Sequence, residues 1–433
     1  MVIFVESEKE LHDFINLVKT EDVVAFPIFA NQLDKRSSEI TFIYFVSLKS
    51  NSKYVLNRTH LDASTFDLFK LLKTLTFTQK CYVEGLKWVF DIFRGDEIYD
   101  LQSVLYYTYN ETESFKYLYS GVHIRDTLML TDEAWAFSPI LKTIESIDAS
   151  LNPILNEISK FEITDSFKKY SKAHAYIFSE LEKPGIQTLD GITYSNYNQY
   201  TATGRPANTN GKYNFLAMNK RTGVRKKIVS RHNRGRLFQF DYSAYHFRLI
   251  ANLIGYNFPK NENLHEYIGK KILNKNKLTK KEYQNIKETN FGVLYGTKEP
   301  PDIEFFKKMY IYKQKLWNEF TTGDKVETII FNRPILKSNH EDMKDNKLFN
   351  YIIQSYETER NLMVIYKLID LLENKQTKLI LYNYDGFVFD FNPNDGLDLL
   401  KDIREILEEG GYPTTTEFGL NYHDLEEYKD QVW

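Results

Sequence analysis

A single cysteine, Cys81, stands among 433 residues. One thiol builds neither a disulfide framework nor a cysteine-based zinc site. No stretch approaches the ~18 consecutive apolar residues that a membrane span requires. The opening MVIFVESEKELHDF carries acids early and no basic leader, so no signal peptide and a cytoplasmic location are expected. Internal repeats and low-complexity tracts are missing. An excess of positive charge is missing too: the formal net charge is −3. A polycationic nucleic-acid coat is thereby excluded, and any contact with a phosphate backbone needs locally concentrated cations.

Apolar residues make up 42% and charged residues 27%, the balance of a globular chain. The length suits two or three domains of roughly 100–200 residues each. Residues 1–110 alternate strand and helix. VVAFPIFA, EITFIYFVSL and KYVLN are short apolar runs bounded by turn residues, the pattern of strands. DASTFDLFKLLKTL, 62–75, reads as a capped amphipathic helix. From SPILKTIESI through HAYIFSELEK, 137–182, apolar residues recur at helical spacing, and KPGIQTLDG then breaks the pattern. Between Lys220 and Arg236 lie eight Lys or Arg and no acid. Arg225, Lys226 and Lys227 sit at its centre. A second basic run, GKKILNKNKLTKK, spans 269–281. Such blocks suit a phosphate backbone or a solvated face.

Three segments carry chemistry. In RLFQFDYSAYHFRLIANLIGY, 236–256, an apolar strand delivers Asp241 at its C-terminal end, ahead of a helix. A carboxylate there is placed either to cap the helix or to bind a hard cation. In TKKEYQNIKETNFGVLYG, 279–296, Thr279 and Glu282 form a capping-box pattern that starts a helix. Tyr283, Lys287, Phe291 and Tyr295 then fall four apart on one face. One cation among three rings suits a nucleoside triphosphate, the cation for phosphates and the rings for base and sugar. In KLILYNYDGFVFDF, 378–391, two β-type runs meet at Tyr384-Asp385-Gly386, and Asp-Gly is a hairpin-turn signal. Paired with Asp241, Asp385 would complete a platform for two magnesium ions, the arrangement that supports in-line phosphoryl transfer.

Read in order, these segments resemble the family A DNA polymerases, the bacterial polymerase I and phage replicative type. FDYSAYHFRL resembles motif A, DYSQIELR. IKETNFGVLYG resembles motif B, KxxxFGxxYG. YNYDGF stands where motif C, VHDE, is expected. TATGRPAN, 201–208, is similar to TATGRLSS, and NYIIQS, 350–355, to NxxxQG. The resemblance covers about residues 183–433 and implies roles position by position. Asp241 and Asp385 would hold two Mg²⁺, with the Tyr242 backbone carbonyl as a further ligand. Lys287 would grip the incoming triphosphate. Phe291, Tyr295 and His246 would shape the sugar and base pocket, and His265 would touch the triphosphate. Arg205, Asn350 and Gln354 would reach the primer–template minor groove.

The chain departs from the family at several points. The motif A glutamate, which helps exclude ribonucleotides, is His246. The motif B arginine four residues before the lysine is Tyr283, where Lys280 or Lys281 could substitute. Motif C has Tyr384 and Gly386 in place of His and Glu. TATGR follows LEKPGIQTLDG almost at once, where a long helical thumb normally intervenes, so little or no thumb and low processivity without a partner protein are expected. The N-terminal region resembles the family's 3′–5′ exonuclease domain, of RNase H-like fold, but Pro27 and Phe29 occupy the positions of its metal-binding acids. Asp91 and Asp100 remain without their partners.

The expected architecture is α/β and α+β and multidomain. A degenerate exonuclease-like domain spans 1–135 and a helical connector 136–190. A right-hand palm and fingers span 191–433, with the fingers at about 256–300. The expected activity is phage-type DNA polymerisation from dNTPs on primer–template DNA, without proofreading and without a membrane. An rNTP-using polymerase or primase, or a non-catalytic nucleic-acid-binding protein on the same fold, stands as the alternative.

Overall fold

The computed structural model describes the chain apart from residues 31–34, 65–70, 73, 110–138, 209–212, 220–221, 260–261 and 429–433. The helix expected at 62–75 and the boundary expected at 135 lie largely or wholly outside the described residues. Two compact units form. The first comprises Met1–Lys183, Asn196–Thr201 and Asn208–Lys212; the second comprises Pro184–Ser195, Ala202–Ala207 and Tyr213–Trp433. Among the described residues, no helix is long and apolar enough to cross a membrane.

The first unit is built on a six-stranded mixed sheet of β1 (Val2–Phe4), β2 (Val23–Phe29), β3 (Ile40–Ser47), β4 (Lys53–Asn57), β5 (Cys81–Val83) and β6 (Ile98–Asp100), in the order β1-β4-β3-β2-β5-β6. The three apolar runs of the sequence are β2, β3 and β4. Every residue of β2 and β3 is buried, which is why these strands are apolar throughout and do not alternate. Helix α1 (Glu8–Thr20) opens with a Ser7–Glu10 capping box. It lays Phe14, Leu17 and Val18 on the sheet core. The helical stretch expected over 137–182 is two helices, α4 (Ile140–Lys160) and α5 (Asp165–Glu182). They follow the short α2 (Leu86–Val89) and α3 (Leu101–Tyr109). The interruption falls at 161–164, where Thr164 accepts from the Phe167 amide and caps α5.

Among the described residues, a buried ammonium of this unit is paired inside it. The Lys87 ammonium donates to Glu182 Oε1 at 2.6 Å and to the Tyr197 carbonyl at 2.7 Å. Breaking such a buried pair costs on the order of 3–5 kcal/mol. Pro27 and Phe29 are both buried within β2. The Lys35 ammonium lies 5.6 Å from the Phe29 ring centroid and 4.3 Å from that of Trp88, and 3.4 Å from Glu84 Oε2. Asp91 is exposed and pairs with Lys183 at 2.8 Å. Asp100 is buried, accepting from the Tyr200 hydroxyl and from the Leu86 amide at 3.3 Å.

The second unit is organised on a five-stranded sheet. Hairpin β7 (Ile186–Thr188) and β8 (Gly191–Thr193) leads in. The sheet strands are β9 (Arg236–Tyr242), β12 (Lys378–Asn383), β13 (Gly386–Phe391), β14 (Thr414–Gly419) and β15 (Glu426–Glu427), in the order β12-β13-β9-β14-β15 and all antiparallel. Phe238 lies 5.3 Å from Phe391 and Phe240 5.6 Å from Phe389, ring to ring. Burial of each such ring contributes about 1.5–3 kcal/mol. Helices α6 (Tyr245–Leu253), α7 (Leu264–Leu273), α8 (Lys280–Leu294) and α9 (Glu304–Thr322) share one apolar core with the 28-residue α10 (Asp345–Leu372). Between α9 and α10 lies the small hairpin β10 (Lys325–Glu327) and β11 (Pro334–Leu336). Helix α11 (Asp398–Glu408) follows the central hairpin β12–β13.

Burial raises the Asp100 carboxyl to about 6, against the opposing pull of its Tyr200 hydrogen bond. An unfolded Asp titrates near ~3.9. Between those values the folded chain holds a proton that the unfolded chain has lost, so stability falls as pH rises from about 4 to about 6. The group accounts for roughly 3 kcal/mol across that window. Asp100→Asn, which cannot ionise, should therefore gain thermal stability relative to the parent between pH 5 and pH 7.5, measured as the difference in Tm. A difference that does not change with pH would contradict this assignment.

Candidate active site

β9 places its last residues beside the hairpin of β12 and β13. Asp241 is paired across the antiparallel ladder with Gly386. The Tyr242 amide donates to the Asp385 carbonyl at 2.9 Å. The two acids thus stand on adjacent backbone positions although 144 residues separate them in sequence, 385 minus 241. The two-residue turn sits one residue earlier than the Asp-Gly dipeptide. Asn383 already pairs with Gly386, so the turn residues are Tyr384 and Asp385. Tyr384 carries the positive φ of 61°, an expensive conformation for a bulky residue. Asn361 on α10 holds it there, donating from its side-chain amide to the Tyr384 carbonyl at 2.7 Å.

Gly386 lies in the strand for a steric reason. A Cβ at that position would come 2.5 Å from Asp241 Oδ1. Asp241 does not cap the helix that follows. The cap residue is Ala244, at φ 50° and with no side-chain cap. The Asp241 carboxylate instead accepts from the buried Gln239 amide two residues earlier on the same strand face. Asp385 is open to solvent yet closely surrounded by protein. That desolvation, reinforced by the Glu357 charge, pushes its carboxyl above the usual range, while Arg205 and His246 pull it down. Among the described residues, no group of three or more His, Cys, Asp or Glu could hold a metal. The constellation is a pair of hard oxygen donors beside a backbone carbonyl. That suits Mg²⁺, which takes one or two carboxylates and completes its shell with substrate phosphates and water.

Helix α8 begins at the Thr279–Glu282 capping box, with both reciprocal hydrogen bonds formed. Lys287 is exposed on it and Phe291 is half-buried. Tyr295, the residue that ends the helix, is 40% exposed and stacks parallel to Phe291. The Tyr295 hydroxyl is raised by burial, with Arg205 lowering it and Glu357 and Asp385 raising it further. His265 is buried between the rings of Phe247 and Phe291, with Nδ1 3.0 Å from the Asn290 amide. Burial and the Lys287 charge lower it to about 4. It is a neutral imidazole packed behind Lys287. Tyr283 accepts from Asn263 at 3.2 Å.

Arg205 is held by Glu357, with Nε 2.8 Å from Oε2 and Nη2 3.2 Å from Oε1, and its guanidinium lies 3.9 Å from the Tyr384 ring centroid. His246 Nε2 lies 3.3 Å from Glu357 Oε1. Asn350 and Gln354 are half-buried on α10, on the stripe that continues through Glu357 and Asn361. Of the three cations of the basic run expected on DNA, Arg225 turns inward: its Nε and Nη2 donate to the Met218 carbonyl and it packs on Tyr422. Lys226 and Lys227 are exposed, and Lys227 pairs with Asp190 at 3.2 Å. Sequence reasoning missed Glu357, Asn361 and Gln239. The i, i+4, i+7, i+11 spacing of Asn350, Gln354, Glu357 and Asn361 was the available signal for the first two.

The model of DNA polymerase family A matches residues 126–300, a stretch that contains Asp241, Lys287 and Tyr295. The fold is similar to the POL domain of Pol1 from M. smegmatis, a structure in complex with DNA primer-template and dNTP. The TM-score is 0.72 at 12% identity, over 98% of this chain and 100% of that one. The stretch 126–300 thus carries the signature of DNA polymerase family A, and the fold as a whole is similar to that of a polymerase POL domain. No curated protein matches its sequence. The second acid, Asp385, lies beyond the matched stretch, and its place beside Asp241 comes from the ladder register alone. Gly386→Ala should therefore displace the Asp241 carboxylate by steric contact and lower single-nucleotide incorporation at least ~100-fold, the cost of about 1 Å of misplacement. The Tm should change little. Incorporation at the parental rate would show that the close approach is not needed.

Proposed function

We propose that this chain is a polymerase that extends a primer 3′ end with dNTPs on a DNA template, through two Mg²⁺ ions held by Asp241, Asp385 and the Tyr242 carbonyl. The observation that carries the reading is the register that sets Asp241 opposite Gly386 and beside Asp385. The residues fit the ions: the donors are oxygen only, and the raised carboxyl of Asp385 calls for a cation to offset its charge. Bound there, the ions would polarise the primer hydroxyl and offset charge on the departing pyrophosphate. The chain's own groups do the positioning. Lys287, exposed on α8, provides a cation for the triphosphate. Tyr295 and Phe291 give a stacked aromatic wall for base and sugar. Arg205, Asn350 and Gln354 line the approach from the duplex, and Lys226 and Lys227 add phosphate contacts.

The first unit serves as scaffold or template contact and does not proofread, since buried Pro27 and Phe29 supply no metal ligand. A phage origin and a processivity partner fit the short connection at 181–205, which leaves little room for a thumb.

Asp241→Asn and Asp385→Asn should each abolish primer extension while leaving primer–template affinity within a few-fold of the parent. Extension by either variant sinks the two-metal reading. A 3′-labelled DNA strand incubated with the parent and Mg²⁺, without dNTPs, should keep its full length. Progressive shortening that depends on the metal would restore a nuclease role to the first unit.

A further inference from the structure

Arg205 lines the approach from the duplex, yet its charge is committed inside the protein. Its partner is Glu357, a carboxylate that is 1% exposed in the middle of α10. The two meet at 2.8 Å, Nε to Oε2, and at 3.2 Å, Nη2 to Oε1. A buried carboxylate holds such a cation firmly, because losing either partner leaves an uncompensated charge. The segment that carries Arg205 is docked on the same helix at a second point. The Thr203 carbonyl accepts from the Ser355 hydroxyl at 2.6 Å, and that hydroxyl accepts from Arg333, itself 1% exposed, at 3.2 Å. So held, the Arg205 guanidinium lies over the Tyr384 ring, 3.9 Å from its centroid. Tyr384 sits in a conformation that has to be held. It bears a φ of 61° in the two-residue turn that it shares with Asp385, and a bulky side chain resists that conformation. Asn361 fixes its backbone carbonyl at 2.7 Å. Arg205 covers its ring, a cation–π contact that strengthens where water is excluded.

We infer that Arg205 is a positioning residue for Asp385 and not a reader of the duplex: Glu357 fixes the guanidinium, the guanidinium clamps the Tyr384 ring, and the clamped turn keeps Asp385 beside Asp241. The inference rests on the polymerase reading above, and it departs from the minor-groove role that the resemblance implies for Arg205. Both anchors of the turn come from α10, Asn361 directly and Arg205 through Glu357. Without the ring clamp the strained φ of Tyr384 relaxes and carries Asp385 with it. The Asp241 side of the pair stays in place, because its strand is held by the ladder on both edges.

The test compares the parent with Arg205→Ala, Arg205→Lys, Tyr384→Leu and the double variant Arg205→Ala/Tyr384→Leu. Primer–template affinity is read by fluorescence anisotropy without metal or nucleotide, at several salt concentrations. Single-nucleotide incorporation gives kcat and KM for one dNTP. Arg205→Ala should lower kcat at least about fivefold, toward the ~100-fold that 1 Å of misplacement costs, with KM and duplex affinity within about threefold of the parent. Its salt slope should not change. Arg205→Lys should lose kcat as well, since an ammonium keeps the charge but lacks the planar face that lies on the ring. The double variant should be no slower than the slower single one, because both substitutions break one linkage. The inference is overturned by duplex affinity or KM weakened more than about threefold, by a salt slope reduced by about one, or by a fall in kcat of less than about fivefold. Losses that multiply in the double variant overturn it equally. Should Arg205→Ala lose its folded circular-dichroism spectrum, Arg205→Lys and Tyr384→Leu decide by the same readings. Failure of the parent to incorporate any nucleotide would be a failure of the polymerase reading itself.

Discussion

The register between β9 and β13 is the constraint on which the second unit depends. Side chains alternate faces along a strand, so a slip of one residue would turn Asp241 away from Asp385 and send Phe238 and Phe240 to the wrong side. The rings fix the register: Phe238 packs against Phe391 and Phe418, and Phe240 against Phe389. The apolar core thus does chemical work at a distance. Its packing determines which backbone positions face each other at the strand ends, and there the two acids stand.

The segments around the two acids are held from α10. Along one stripe it supplies Asn361 to the strained Tyr384 carbonyl and Glu357 to Arg205 and His246. One turn of that helix further round, Arg360 reaches the hydroxyls of Tyr242 and Tyr245, both at 2.9 Å, and the Glu409 carbonyl at 2.7 Å. The strand end, the start of α6 and the segment after α11 are therefore anchored to one rigid element. The site is supported from behind by polar groups and from below by aromatic packing.

What could be read from the sequence follows from how local the signals are. The strands at 23–29, 40–47 and 53–57, the Thr279 cap and the motif residues Asp241 and Asp385 were legible, because short-range pattern and chemistry agree there. The hairpin at Tyr384-Asp385-Gly386 was legible as well, and only the position of its two central residues, Tyr384 and Asp385, was not. Arg225 was taken for a surface cation because a basic run carries no mark of which side chain faces inward. Glu357 was invisible as a site residue, since its role depends on Arg205 and His246 arriving from distant segments. His246 showed itself only as a departure from motif A. The structure gives that departure a partner.

The amino-terminal unit carries a consequence of its own. The ammonium of Lys35 rests against the faces of Phe29 and Trp88 and beside Glu84. An acid grafted at position 29 would be neutralised by a fixed cation before any divalent ion arrived. Metal binding at this end of β2 would thus take removal of a positive charge as well as an added acid.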